Sequence, residues 1–91
     1  MEIIGVIKRI GQKVSISEKF EKLDFVIEEL ENKYPQDIKI QLVNDKISLI
    51  DRFKIGDKVE ISFNIKGKEF EKNGEMLLFN NIEAWKIDPS F

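Results

Sequence analysis

Apolar and polar positions alternate along most of this chain, most clearly over residues 57–70, D-K-V-E-I-S-F-N-I-K-G-K-E-F. Val59, Ile61, Phe63 and Ile65 take turns with Glu60, Ser62, Asn64 and Lys66. A period of two puts one apolar and one polar face on the segment, which predicts a half-buried antiparallel strand. Just before it, Gly56-Asp57 marks a turn into the strand, and Gly67 interrupts the run. A second extended segment follows over 76–87. Leu77, Phe79, Asn81, Glu83, Trp85 and Ile87 share one of its faces; Met76, Leu78, Asn80, Ile82, Ala84 and Lys86 share the other. Asp88-Pro89 ends it. The two segments are joined by 71–75 around Asn73-Gly74, the strongest short hairpin signal in the chain.

The first half repeats the pattern. Residues 2–10 form a strand with Ile3, Gly5 and Ile7 on one side and Ile4, Val6, Lys8 and Ile10 on the other. Both sides are largely apolar, so the second must be covered by a loop or meet another chain. Gly5 inside the strand predicts a bulge, sharp coiling or a close backbone approach. Residues 11–19 read as a polar connection. A second strand begins at Phe20 and runs through Ile27, with Leu23, Phe25 and Ile27 apolar and Lys22, Asp24 and Glu28 opposite. A helix competes there because 28–32 are good helix formers. Residues 29–36 read as an acidic turn ending at Tyr34-Pro35. Residues 37–43 alternate again as a third strand. Over 44–52 the period changes: Ile47, Ile50 and Phe53 stand three apart, which predicts a helix of about two turns capped by Asn44 or Asp45.

The order is therefore strand, strand, strand, short helix, strand, strand, in one domain over 1–91. Long apolar strand edges must be paired or covered, and closure into a barrel does this. The expectation is an all-β fold, a five-stranded OB-fold barrel with one short helix between its third and fourth strands. A flat sheet under one covering helix would need more helix than these residues provide.

Three stretches carry a resemblance. They are Met1-Glu2-Ile3-Ile4-Gly5-Val6-Ile7; Asn44-Asp45-Lys46-Ile47 with 53–63; and Ala84-Trp85-Lys86-Ile87. Together they resemble a family of small, uncharacterised bacterial OB-fold proteins of unknown function, similar to single-stranded-DNA-binding proteins. The family often carries tryptophan then glycine where this chain has Val43-Asn44, so one stacking aromatic is missing here. It also carries polar residues where this chain has Ile4 and Val6.

Composition narrows the chemistry. The 91 residues carry a formal net charge of −2, which argues against a strongly basic nucleic-acid binder but not against a local patch. There is no cysteine and no histidine, which removes disulfides, thiolate chemistry, the ordinary zinc sites and the usual neutral-pH general base. No phosphate loop or nucleophile elbow is present, and the acidic run Glu28, Glu29 and Glu31 reads as a solvated turn. No enzyme, metal site or cofactor is expected. The first residues lack the pattern of a signal peptide, and no apolar run reaches the ~20 residues of a membrane span. A cytoplasmic protein with no membrane partner is the expectation.

Single-stranded nucleic acid crosses an OB barrel over the second and third strands, framed by the first loop and the last hairpin. Lys22, Lys39 and Gln41 stand on that predicted face, and Lys66, Lys68 and Phe70 stand on the hairpin, with Lys72 near its turn. Lys8, Arg9, Lys13 and Lys19 lie by the first loop; Phe79 and Trp85 add stacking surface. Asp24, Glu28, Glu69, Glu71 and Glu75 dilute the patch. The plainer readings stand beside these. Alternating lysines also mark any solvated strand. Phe70 and Phe79 pair across a hairpin, Phe25 and Phe63 are core, and Trp85 is either barrel wall or exposed contact. Phe20 and Tyr34 flank loops as lids or surface contacts. Binding without chemistry is the reading, and the preference for DNA over RNA comes from the resemblance alone. The alternative is an interaction module that self-associates as a homo-oligomer through Ile4, Val6 and Ile10 of the first strand.

Overall fold

The structure, a computed structural model of the chain, describes residues 1–90. In chain order it contains β1 (Glu2–Ile10), β2 (Val14–Ser17), β3 (Phe20–Glu29), β4 (Asp37–Val43), a 3₁₀ helix (Asn44–Ile50), β5 (Lys58–Lys72) and β6 (Glu75–Pro89). β1 pairs antiparallel with both β3 and β5, β3 with β4, and β5 with β6. β4 meets β6 in parallel at Gln41 and Glu83, which closes a ring of five strands. With the helix between its third and fourth strands, the ring is an OB-fold barrel, as the alternation predicts.

The interior is filled from every wall. Ile7 of β1, Leu23, Phe25 and Ile27 of β3, and Ile40 and Leu42 of β4 are buried, with Val59 and Ile61 of β5, Ala84 and Ile87 of β6, and Ile50 of the helix. Phe63 is half-buried and packs on the rim of this core. The helix is shorter and tighter than expected, and neither Asn44 nor Asp45 caps it. Asn44 is itself in the helix, at φ 49°, where asparagine is among the few tolerated residues. Its side-chain oxygen accepts the Glu21 backbone N–H at 3.0 Å, tying the helix to the start of β3.

Two bulges alter which residues face inward. The β1 register against β3 slips between Ile7 and Arg9, leaving Lys8 extra. Beyond the slip the phase reverses, so Ile10 lies opposite buried Phe25 and packs on the core. That corrects the expectation that Ile10 shares an outward face with Ile4 and Val6, which remain half-buried outside the core. On β6, Lys86 pairs with Ser62 and Ala84 with Phe63, so Trp85 is skipped. Ala84 and Ile87 are both buried, which no strict period of two allows, and Trp85 is pushed outward at 47% exposure.

The connection over 11–19 is also more ordered than expected. Gly11 donates its N–H to the Asp24 carbonyl at 2.9 Å. Val14–Ser17 then pairs with β3 as β2, along the edge that β1 follows. β1, Gly11 and β2 thus form one bent partner for the whole of β3, and only Glu18-Lys19 makes the turn. β3 itself extends to Glu29, two residues past the expected end.

At Gly5 the close approach is real. A Cβ there would stand 2.7 Å from the Glu28 carbonyl oxygen and 2.9 Å from Ile27 Cδ1. Gly5 pairs with Glu29 on one side and Val59 on the other, so neither neighbour yields freely. Gly5→Ala is expected to lower unfolding stability by about 1–3 kcal/mol, the usual cost of overpacking, read from the urea midpoint. A loss below about 0.5 kcal/mol, within the scatter of surface substitutions, would show a compliant seam.

Candidate nucleic-acid interface

β5 and β6 outrun the barrel. β1 pairs with β5 only over residues 58–62, and β4 reaches β6 only at Glu83. Beyond those points the two strands pair with each other alone and form an arm. Asn73 and Gly74, at φ 52° and 80°, turn its tip; two successive positive φ values suit the twist of a two-residue hairpin. On one face of the arm Lys66 pairs with Asn81, Lys68 with Phe79 and Phe70 with Leu77. The other face carries Ile65, Glu69, Glu71, Met76 and Leu78.

The first of these faces meets the outer surface of β3 and β4 across an open groove of about 560 Å³. Its walls are Ile16 and Phe20 of the β2–β3 hairpin, Lys22 of β3, Gln41 and Val43 of β4, and Lys66, Gly67, Lys68, Phe79, Asn81 and Glu83 of the arm. Of the residues singled out from sequence, Lys22, Gln41, Lys66, Lys68 and Phe79 come together here. Phe70 joins them by stacking on Phe79, with centroids 5.1 Å apart and planes within 5°. Lys39 stands two residues from Gln41 on the same strand face but outside the groove, and Trp85 is exposed outside it. Sequence reasoning did not place Ile16, Val43, Asn81 or Glu83 in the site. The signal for Ile16 was present: Val14 and Ile16 alternate with Ser15 and Ser17, a short strand pattern inside a polar stretch.

Charge pairing sorts the lysines. Lys8 donates to both carboxylate oxygens of Asp37, at 3.1 and 2.9 Å, and lies 3.7 Å from Glu28. The Asp37 hydrogen bond and charge raise the Lys8 pKa above its ordinary value, so as pH rises the ammonium persists above the usual lysine range. Lys13 lies 3.1 Å from Glu21. These two side chains hold the barrel wall and its first loop, and are not free for a ligand. Among the described residues no carboxylate lies within 4.0 Å of the Lys22, Lys39, Lys66 or Lys68 ammonium groups. A backbone of phosphates in the groove would find those cations uncompensated, beside an aromatic pair with an exposed face.

No group of histidine, cysteine, aspartate or glutamate able to hold a metal ion occurs among the described residues. No helix among them is long and apolar enough to cross a membrane.

Solved structures share this fold. The mitochondrial single-stranded DNA binding protein Rim1 from S. cerevisiae matches with a TM-score of 0.69 at 17% identity, over 98% of this chain and 91% of that one. The N-terminal domain of the PriB protein from Thermoanaerobacter tencongensis, described as dimeric, matches at 0.66 and 13%, over 99% and 93%. A small single-stranded DNA-binding protein from Streptomyces coelicolor matches at 0.61 and 9%, over 99% and 92%. At these identities the likeness is one of fold. No curated protein matches the sequence. A family model, "Domain of unknown function (DUF3127)", matches residues 2–88, and the chain belongs to that family.

Proposed function

We propose that this protein binds single-stranded nucleic acid, DNA in the first instance, in the groove between the β2–β3 hairpin and the arm, and performs no chemistry on it. One observation carries the reading: three lysines, each without a carboxylate within 4.0 Å among the described residues, line a single open groove on the outer face of an OB barrel together with Phe79, on which Phe70 stacks. Lys22, Lys66 and Lys68 would hold phosphates, while Phe79, backed by Phe70, offers a base its π-face. Lys39 and Trp85 would contact a strand that continues beyond the groove. The fold neighbours named for single-stranded DNA support the same reading.

The test is a fluorescence anisotropy titration with a mixed-sequence single strand, its RNA counterpart and a duplex. Three phosphate contacts predict a log–log salt slope near −2, hence roughly 20-fold weaker binding at about 200 mM than at about 50 mM salt. DNA binding that ignores salt, or no binding at low salt by a folded protein, would defeat the proposal.

Self-association through the first strand has less to stand on. Ile10 is committed to the core, and β1 is hydrogen-bonded to β3 and β5. Only the half-buried Ile4 and Val6 remain as an outward apolar pair.

A further inference from the structure

We propose that Glu83 makes the groove selective for bases with an exocyclic amino group, so that cytosine and adenine strands bind more tightly than thymine strands. The inference rests on the groove being the binding site, and adds which bases it takes.

Glu83 is half-buried and lines a groove that otherwise offers lysines to phosphate. Among the described residues it makes no ion pair with those lysines, and its carboxylate accepts no side-chain hydrogen bond. Its partner across the β4–β6 contact is Gln41, a residue that lines the same groove. A carboxylate only accepts hydrogen bonds, whereas the neighbouring amide offers both donor and acceptor. Phosphates are repelled by Glu83, so the strand's backbone follows Lys66 and Lys68 and a base edge faces the carboxylate.

The base edges differ at that point. Cytosine presents its N4 amino group, a donor, next to the acceptor N3; adenine presents N6 next to N1. Either matches a carboxylate beside an amide donor. Thymine presents the O4 carbonyl where cytosine has its amino group, and its one ring donor, N3–H, is flanked by the O4 and O2 carbonyls, so a carboxylate that reaches it meets a repelling oxygen on either side. A half-buried carboxylate set against those carbonyl oxygens also loses solvation with little return.

Cytosine against thymine is the decisive comparison, because the two rings are the same size and stack alike. Competition anisotropy with oligo-dC, oligo-dA and oligo-dT of equal length is expected to rank dT last, by roughly tenfold against dC. In Glu83→Gln every strand should bind more tightly, because a negative charge has gone, and the dC:dT ratio should fall towards one. Glu83→Ser should collapse the same ratio, and matched thermal melts of both variants establish that the fold is intact. Lys66→Ala should weaken all strands alike and keep the ratio.

Equal binding of dC and dT by the parent protein overturns the inference while leaving the groove in place. So does a ratio that survives Glu83→Gln, since Glu83 would then act as charge alone. Failure of all three strands to bind overturns the nucleic-acid reading and this inference with it.

Discussion

The double variant Lys66→Ala/Lys68→Ala is expected to bind a single strand about 25-fold more weakly than the parent at about 0.1 M salt. Each lost phosphate contact removes about 0.7 from the log–log salt slope, so two remove about 1.4, and extrapolation to 1 M gives that factor. The two side chains project from the arm, both are exposed, and neither has a carboxylate within 4.0 Å. Their removal should therefore leave the melting temperature unchanged. The informative control is Lys8→Ala with Lys13→Ala. Those ammoniums are held by Asp37 and Glu21, so binding should hardly change. Equal losses in the two variants would mean that strands are drawn by general positive charge rather than seated in the groove. The anisotropy titration that gives the salt slope reads both.

Phe25→Ala is expected to remove about 3–5 kcal/mol of stability, the range for deleting a buried phenylalanine. Phe25 is 0% exposed and pairs with Ile10 on one side and Ile40 on the other, so three walls of the barrel meet at its ring. A domain of this size has about 5–15 kcal/mol in all. At about 4–8 °C per kcal/mol, the melting temperature should fall by at least ~12 °C. Calorimetry or circular dichroism decides the matter. A loss under about 1 kcal/mol would show that β1 and β4 close over the vacancy.

Much of this architecture is legible in the chain because each barrel strand has one wet face and one dry face. Asn73-Gly74 announces its hairpin without help from tertiary structure, since the turn demands two residues that tolerate positive φ. What stays hidden is what depends on one residue too many. Nothing in I-K-R-I or E-A-W-K says that Lys8 and Trp85 are extra, yet each reverses the facing of what lies beyond it. Ile10 was misassigned and Trp85 left open for that reason. Asn44 looks like a cap from sequence because its partner, the Glu21 backbone, is brought near only by the fold. Candidate lysines could be chosen from alternation, but which of them are neutralised could not. Lys8 meets Asp37, 29 positions away. Glu83 read as one polar residue among several on a strand face, and its place opposite Gln41 follows only from the parallel contact that shuts the ring.

That shutting also dictates the order of events during folding. Glu2 finds Ser62, and Val6 finds Lys58, more than fifty residues downstream. Contacts this distant in sequence are slow to reach, which places the chain with β-barrels that mature over milliseconds to seconds rather than microseconds. As it emerges from the ribosome, the first strand can pair with β3 along one edge, but its other edge must wait until the fifth has been made. The nascent protein is therefore most prone to aggregate before Lys58–Ser62 appears, and a pause in translation ahead of that point would prolong the hazard.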